Sequence, residues 1–107
     1  LDDSELLTLF LWDEQTFKNN TAGSAIYRIG YERWQRNISV ALGNADFSAQ
    51  ILEALKGKVS NSSALVKEHI EWAIKQQEGK RALKAQNADT LTNKLIRTVY
   101  KVLPRDA

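Results

Sequence analysis

Apolar residues recur at three- and four-residue spacing along most of this chain, and strand-like alternation is scarce, so the pattern predicts helices almost throughout. A first helix starts near Ser4, with Asp2 to Ser4 offering caps, and carries Leu6, Leu7, Phe10 and Leu11. A short second helix follows Asp13, with Glu14 near its positive end and Phe17 inward, and Asn19 to Gly23 stops it. A glycine-broken loop leads to a third helix that begins at Gly30 or Tyr31. Tyr31, Trp34, Ile38, Ala41 and Leu42 share one side of it, and Arg33, Arg36, Asn37, Val40 and Asn44 share another. Gly43 and Asn44 suit a stop. A fourth helix covers about 47–56, with Phe47, Ile51, Leu52 and Leu55 inward, and Ser62 or Ser63 caps a fifth over about 64–77. Val66, Ile70, Ala73 and Ile74 form the stripe of the fifth helix, while Lys67, Glu71 and Lys75 step along its wet side. Gly79 to Ala88 reads as a mobile polar connector. A last helix then runs from Asp89 or Thr90 through Leu91, Leu95, Val99 and Val102 to Pro104.

The expected fold is all-α, a HEAT-like or alpha-solenoid stack of about five to six helices. The third and fourth helices form an antiparallel pair and the fifth is the next layer. An orthogonal bundle is the competing arrangement, since no tight internal repeat marks the chain. The division that follows is a HEAT-like domain over 1–78, a polar connector over 79–88, and a basic C-terminal helix and tail over 89–107.

Composition sharpens this in three ways. A chain of 107 residues supports one domain of modest core. The apolar runs are too short to span a bilayer, no N-terminal signal pattern is present, and the expected location is cytoplasmic. Methionine is absent and the chain opens Leu1-Asp2-Asp3-Ser4, so it reads as a piece of a longer protein, with Pro104-Arg105-Asp106-Ala107 as a natural end.

Candidate chemistry is thin. With no cysteine, the chain offers no thiolate ligand, disulfide or cysteine nucleophile, and its one histidine, His69, has no second histidine to form a metal pair. His69 and the helix-start carboxylates Asp2, Asp3, Asp13 and Glu14 read as structural. Charge is uneven. Residues 1–74 hold seven Lys/Arg against ten Asp/Glu, and residues 75–107 hold eight against three. That asymmetry points to an anionic partner or to a solvated tail. Arg33, Arg36 and Asn37, with Arg28 just before their helix, make the best binding face, because guanidinium forks match phosphate oxygens. A solvated face in which Glu32 pairs with Arg36 is the alternative. Lys94, Arg97 and Lys101 form a second basic stripe, joined by Lys80, Arg81, Lys84 and Arg105. Trp34 and Trp72 belong to the core rather than to base stacking, and Tyr27 and Tyr31 are more plausible surface aromatics, Tyr31 packing beneath the loop as the alternative.

The stretch Gly23-Ser24-Ala25-Ile26-Tyr27-Arg28-Ile29-Gly30-Tyr31-Glu32-Arg33-Trp34-Gln35-Arg36-Asn37, with Ala41-Leu42-Gly43-Asn44 behind it, resembles the C-terminal region of the epoxyqueuosine reductase family. Leu65 to Ile74 is similar to a second HEAT-like helix of that family. Tyr27 departs from it, standing where members often carry arginine, which removes one positive charge. The resemblance implies an enzyme that reduces epoxyqueuosine to queuosine in the tRNA wobble position with cobalamin and two 4Fe-4S clusters. Its catalytic acid, cobalamin pocket and cluster cysteines lie upstream, so it implies no catalytic, cofactor-binding or metal residue in this piece. Its implied partners are tRNA and the upstream catalytic domain. The implied role is a tRNA-holding module; a HEAT-like protein-interaction scaffold is the alternative.

Overall fold

The computed structural model describes the backbone of residues 2–102 and the side chains of residues 2–90. It is all-α. Six helices follow in order: α1 (Asp3–Phe10), α2 (Glu14–Thr21), α3 (Ala25–Ile29), α4 (Tyr31–Asn44), α5 (Ala49–Lys58) and α6 (Ala64–Val102), with a 3₁₀ turn over Val59–Asn61 before α6. No strand occurs among the described residues.

Local chemistry explains most of the starts. The carboxylates of Asp2 and Asp13 each accept the backbone N–H three residues on, from Glu5 and Thr16, both at 2.8 Å. Ser48 and Ser63 cap α5 and α6 through their hydroxyls. Between α2 and α4 the loop expected around Gly23–Gly30 contains α3. Two glycines at positive φ, Gly23 (80°) and Gly30 (90°), turn the chain into and out of it, a conformation costly for any residue with a Cβ. Five residues are too few for a periodic signal, which is why the pattern did not reveal α3.

The core joins α1, α4, α5 and α6 through Phe10, Ile38, Leu42, Ile51, Leu55, Val66, Ile70 and Ala73, all buried. A second, aromatic cluster lies beside it. Trp34 meets Phe17 at 4.8 Å and stacks on Trp12 at 5.5 Å between ring centroids. The expected pairing of the third and fourth helices is not the main contact. α4 packs chiefly on α6, and α5 returns to pack on α6 as well. The contacts of α4 with α6 step forward along both helices, so the two run side by side in the same direction. Val40 lies by His69 and Trp72, Gly43 by Ala73, and the end of α4 by Gln77 and Lys80.

At Gly43 the two helices lie close together. A Cβ there would stand 2.6 Å from the Trp72 ring and 2.9 Å from the Ala73 Cα. It is also the expected stop: α4 ends at Asn44, with Ala45 as its C-cap. The close approach also moves Trp72, expected in the core. Its ring closes over Gly43 from the flank and stays 38% exposed.

α6 is 39 residues long, about 58 Å at the α-helical rise. It continues through Gly79 to Ala88, the stretch expected to be a connector. Lys80, Arg81, Ala82, Leu83, Lys84, Ala85 and Gln86 are all good helix formers, and their summed propensity outweighs the one glycine. Residues 81–90 are exposed throughout. No helix among the described residues is long and apolar enough to cross a membrane.

Candidate functional site

Three helix N-termini meet at one cleft of about 770 Å³. Asp13 and Glu14 bring the start of α2, Gly30 to Arg33 the start of α4, and Ser62 and Ser63 the start of α6; Leu11, Ile29 and Val66 supply apolar wall. Each helix start carries a partial positive charge. The start of α2 is already answered by its Asp13 cap, and the start of α6 by the Ser63 hydroxyl. No side chain caps α4, whose first N–H groups have no partner within the helix. Arg33 stands at that same end. Negative charge is present too: Glu14 pairs with Lys18 at 3.2 Å, and Glu32 is on the rim.

Lys58 also lines this cleft, a place that its position in the chain does not reveal. It ends α5, where a basic residue is ordinarily a solvated complement to the helix dipole. Here the ammonium turns inward and donates to the carbonyl oxygen of Phe10, to that of Trp12 at 3.0 Å, to the Gln35 Oε1 at 3.2 Å and to the Tyr31 hydroxyl at 3.3 Å. It sits over the Phe10 and Tyr31 rings, 4.8 and 5.7 Å from their centroids. Burial pushes its pKa down from 10.5 to about 8, and the nearby Asp13 charge pulls the other way. Burial raises the Tyr31 hydroxyl, helped by the charges of Asp13 and Glu14. The Thr16 backbone and side chain hold Asp13 below the usual carboxylate range. With its hydrogens taken up by oxygens of the fold, Lys58 is a structural latch for the end of α1.

The expected binding residues fall in different places. Arg28 is exposed on α3, and Arg33 is exposed at the cleft. Arg36 and Asn37 are brought together: the guanidinium donates to the Asn37 Oδ1 at 3.2 and 3.4 Å, and not to Glu32 as a solvated pair would. Lys94, Arg97 and Lys101 fall on the helical backbone of α6, but their side chains, like Arg105, lie outside the described residues. Tyr31 packs inward and donates to the Trp12 carbonyl, while Tyr27 stays on the surface. The His69 Nδ1 faces the Leu65 carbonyl at 2.8 Å, one turn back in its own helix.

Among the described residues no three His, Cys, Asp or Glu side chains converge as metal ligands. With no cysteine in the sequence, these residues do not fit an iron–sulfur cluster, whose irons are held by thiolates.

The chain is 50% identical over its whole length to the epoxyqueuosine reductase of Shewanella oneidensis, and 45% identical to that of Vibrio cholerae. Over 96% of the chain it is 47% identical to the epoxyqueuosine reductase of Escherichia coli. Along its full length this chain is homologous to epoxyqueuosine reductases. It spans only about 27% of the length of these curated relatives. No protein-family model matches the chain, and no solved structure matches it. Against the epoxyqueuosine reductases, then, it stands as a helical piece of about a quarter of the protein.

Proposed function

We propose that this chain is the C-terminal, HEAT-like module of an epoxyqueuosine reductase and that it holds the tRNA substrate. Arg28, Arg33, Arg36 and Asn37 form the grip, and Lys94, Arg97 and Lys101 a second basic stripe. The observation that carries the reading is the uncapped start of α4. Its free N–H groups and the Arg33 guanidinium lie at one cleft, and both are donors matched to phosphate oxygens. Arg36, braced by Asn37, extends the cationic surface one turn along the same helix. Such contacts position a polyanion without reading its sequence. Reduction, with whatever metal or corrin chemistry it requires, is left to residues outside 1–107.

The test is tRNA binding by the full-length enzyme across a salt series. Arg33→Glu with Arg36→Glu should weaken binding and lower the slope of log affinity against log salt by roughly two. Unchanged affinity at low salt would sink the assignment.

A further inference from the structure

Where α4 lies along α6 there is a second cavity, of about 290 Å³, walled by Val40, Glu68, His69 and Trp72. It shares no residue with the cleft at the helix starts. Trp72 is its largest side chain and keeps 38% of its surface open. The missing Cβ of Gly43 lets the indole lie against the α4 backbone, which holds the ring in place. The His69 Nδ1 is tied back to the Leu65 carbonyl at 2.8 Å. Glu68 is exposed, one turn before Trp72 on α6. Among the described residues its carboxylate joins neither ion pair, Glu14 with Lys18 or Glu78 with Lys56, and no side-chain hydrogen bond.

A held, partly open indole beside an unpaired carboxylate suits a flat group that carries N–H donors. A nucleobase and a cationic side chain both meet that description. The neighbouring helix decides between them. Arg36 stands one turn, about 5.4 Å, before Val40 on the same face of α4, and Arg33 and Asn37 continue the stripe toward the helix start. Guanidiniums there repel a cation and attract the phosphate attached to a base. The carboxylate then narrows the base. It only accepts, so it suits an edge with two adjacent donors. Guanine presents N1–H and its 2-amino group side by side, whereas adenine, cytosine and uracil each set an acceptor next to their donor. Pairing in a duplex would close that edge, so the nucleotide is an unpaired one.

The geometry points to Trp72 as the stacking platform, and Glu68 as the reader, of one unpaired guanine-type base beside a phosphate held at Arg36. The inference rests on the reading of α4 as an RNA grip and deepens it, adding base selection to contacts that only position a polyanion.

Anisotropy titrations of the full-length enzyme at low salt test it, with short labelled oligouridines carrying one central guanine, inosine or adenine. Inosine keeps N1–H and lacks the amino group. The guanine probe should bind about fivefold tighter than the inosine probe, and tighter still than the adenine probe. Glu68→Gln should erase that preference, since an amide does not accept both donors. Trp72→Leu, which still covers Gly43, should weaken the guanine probe about fivefold or more, and Trp72→Phe should restore most of the loss. Equal affinity in Trp72→Leu and wild type overturns the inference. So does a guanine preference that survives in Glu68→Gln, or a wild-type enzyme that does not prefer guanine. The grip fails separately. If Arg33→Glu with Arg36→Glu keeps full affinity while Trp72→Leu loses it, the platform stands and the arginine grip falls. If the arginine pair weakens binding and Trp72→Leu does not, only the platform falls.

Discussion

The Lys58 ammonium donates to the carbonyl oxygen of Trp12, 46 residues earlier in the chain, at 3.0 Å. The last turn of α5 thereby closes the end of α1. Gln77 does the same for α4: its Nε2 donates to the Leu42 and Ala45 carbonyls at 2.8 and 3.0 Å, and its Oε1 accepts the Ser48 N–H at 3.0 Å. Lys80 adds bonds to the Gly43 and Ala45 carbonyls.

Replacing Lys58 with methionine keeps the aliphatic stem and deletes every donor. The Phe10 and Trp12 carbonyls then lose their cationic partner inside the fold. Loss of charge-assisted bonds at a half-buried site should cost about 2–4 kcal/mol. The urea midpoint of Lys58→Met against wild type checks this; equal midpoints would mean that water replaces the ammonium at little cost.

The same residue sets a pH dependence. Its folded pKa is about 8 and its unfolded value 10.5. Between those values the unfolded chain holds a proton that the folded chain has released, so stability rises with pH across that window. Because Lys58 is only half-buried, solvent screening trims the gain to about 1 kcal/mol. Urea titrations at pH 7.5 and 10 should widen the gap between wild type and Lys58→Met by that amount. A gap that narrows would reverse the sign.

Two glycine-to-alanine changes in helices should act in opposite directions. At Gly43 the new methyl meets the Trp72 ring and the Ala73 backbone, and backbone cannot rotate away. Gly43→Ala should cost about 1–3 kcal/mol, and adding Trp72→Ala should not restore it. At Gly79 a Cβ meets nothing within 4 Å, so Gly79→Ala should stabilise by roughly 0.5–1 kcal/mol. Thermal melts of both variants decide the matter.

Gln77→Leu fits the same space but strips the Leu42 carbonyl and the Ser48 N–H of this partner and leaves the Ala45 carbonyl to Lys80. The expected loss is about 2–4 kcal/mol. Gln77→Glu should be no better at neutral pH, because a carboxylate would face the Leu42 and Ala45 carbonyls with a charge and no donor. Chemical denaturation of the pair separates lost bonding from added repulsion.

Most of the helices were legible because their signals are local. Asp2, Asp13 and Ser63 cap as their positions indicate, and Ile38, Leu42, Ile51, Leu55, Val66 and Ile70 fall where helical spacing puts them. Arg33 and the Arg36–Asn37 face could be nominated from the chain, since exposed guanidiniums repeat along one side. What escaped depends on tertiary placement. Nothing in a helix-ending lysine says that it turns inward, and nothing in Gln77 separates it from Gln76 except register against α4. Gly43 and Asn44 mark the end of α4 as their types indicate, but that Gly43 is also a point of contact with Trp72 and Ala73 depends on the neighbouring helix. Gly79 misled, against a run of strong helix formers.

The two side-chain latches bear on how the module comes apart. Neither α1 nor α4 finishes on a left-handed glycine; each finishes against a residue from a later helix. Each therefore relies on a later helix, beyond its own backbone cap, to satisfy its last carbonyls. Cutting the chain before Lys58 leaves α1 to fray, and cutting it before Gln77 does the same to α4. Loss of α6 propagates back to the first turns of the chain, so residues 2–80 should unfold as one cooperative unit with no surviving subset.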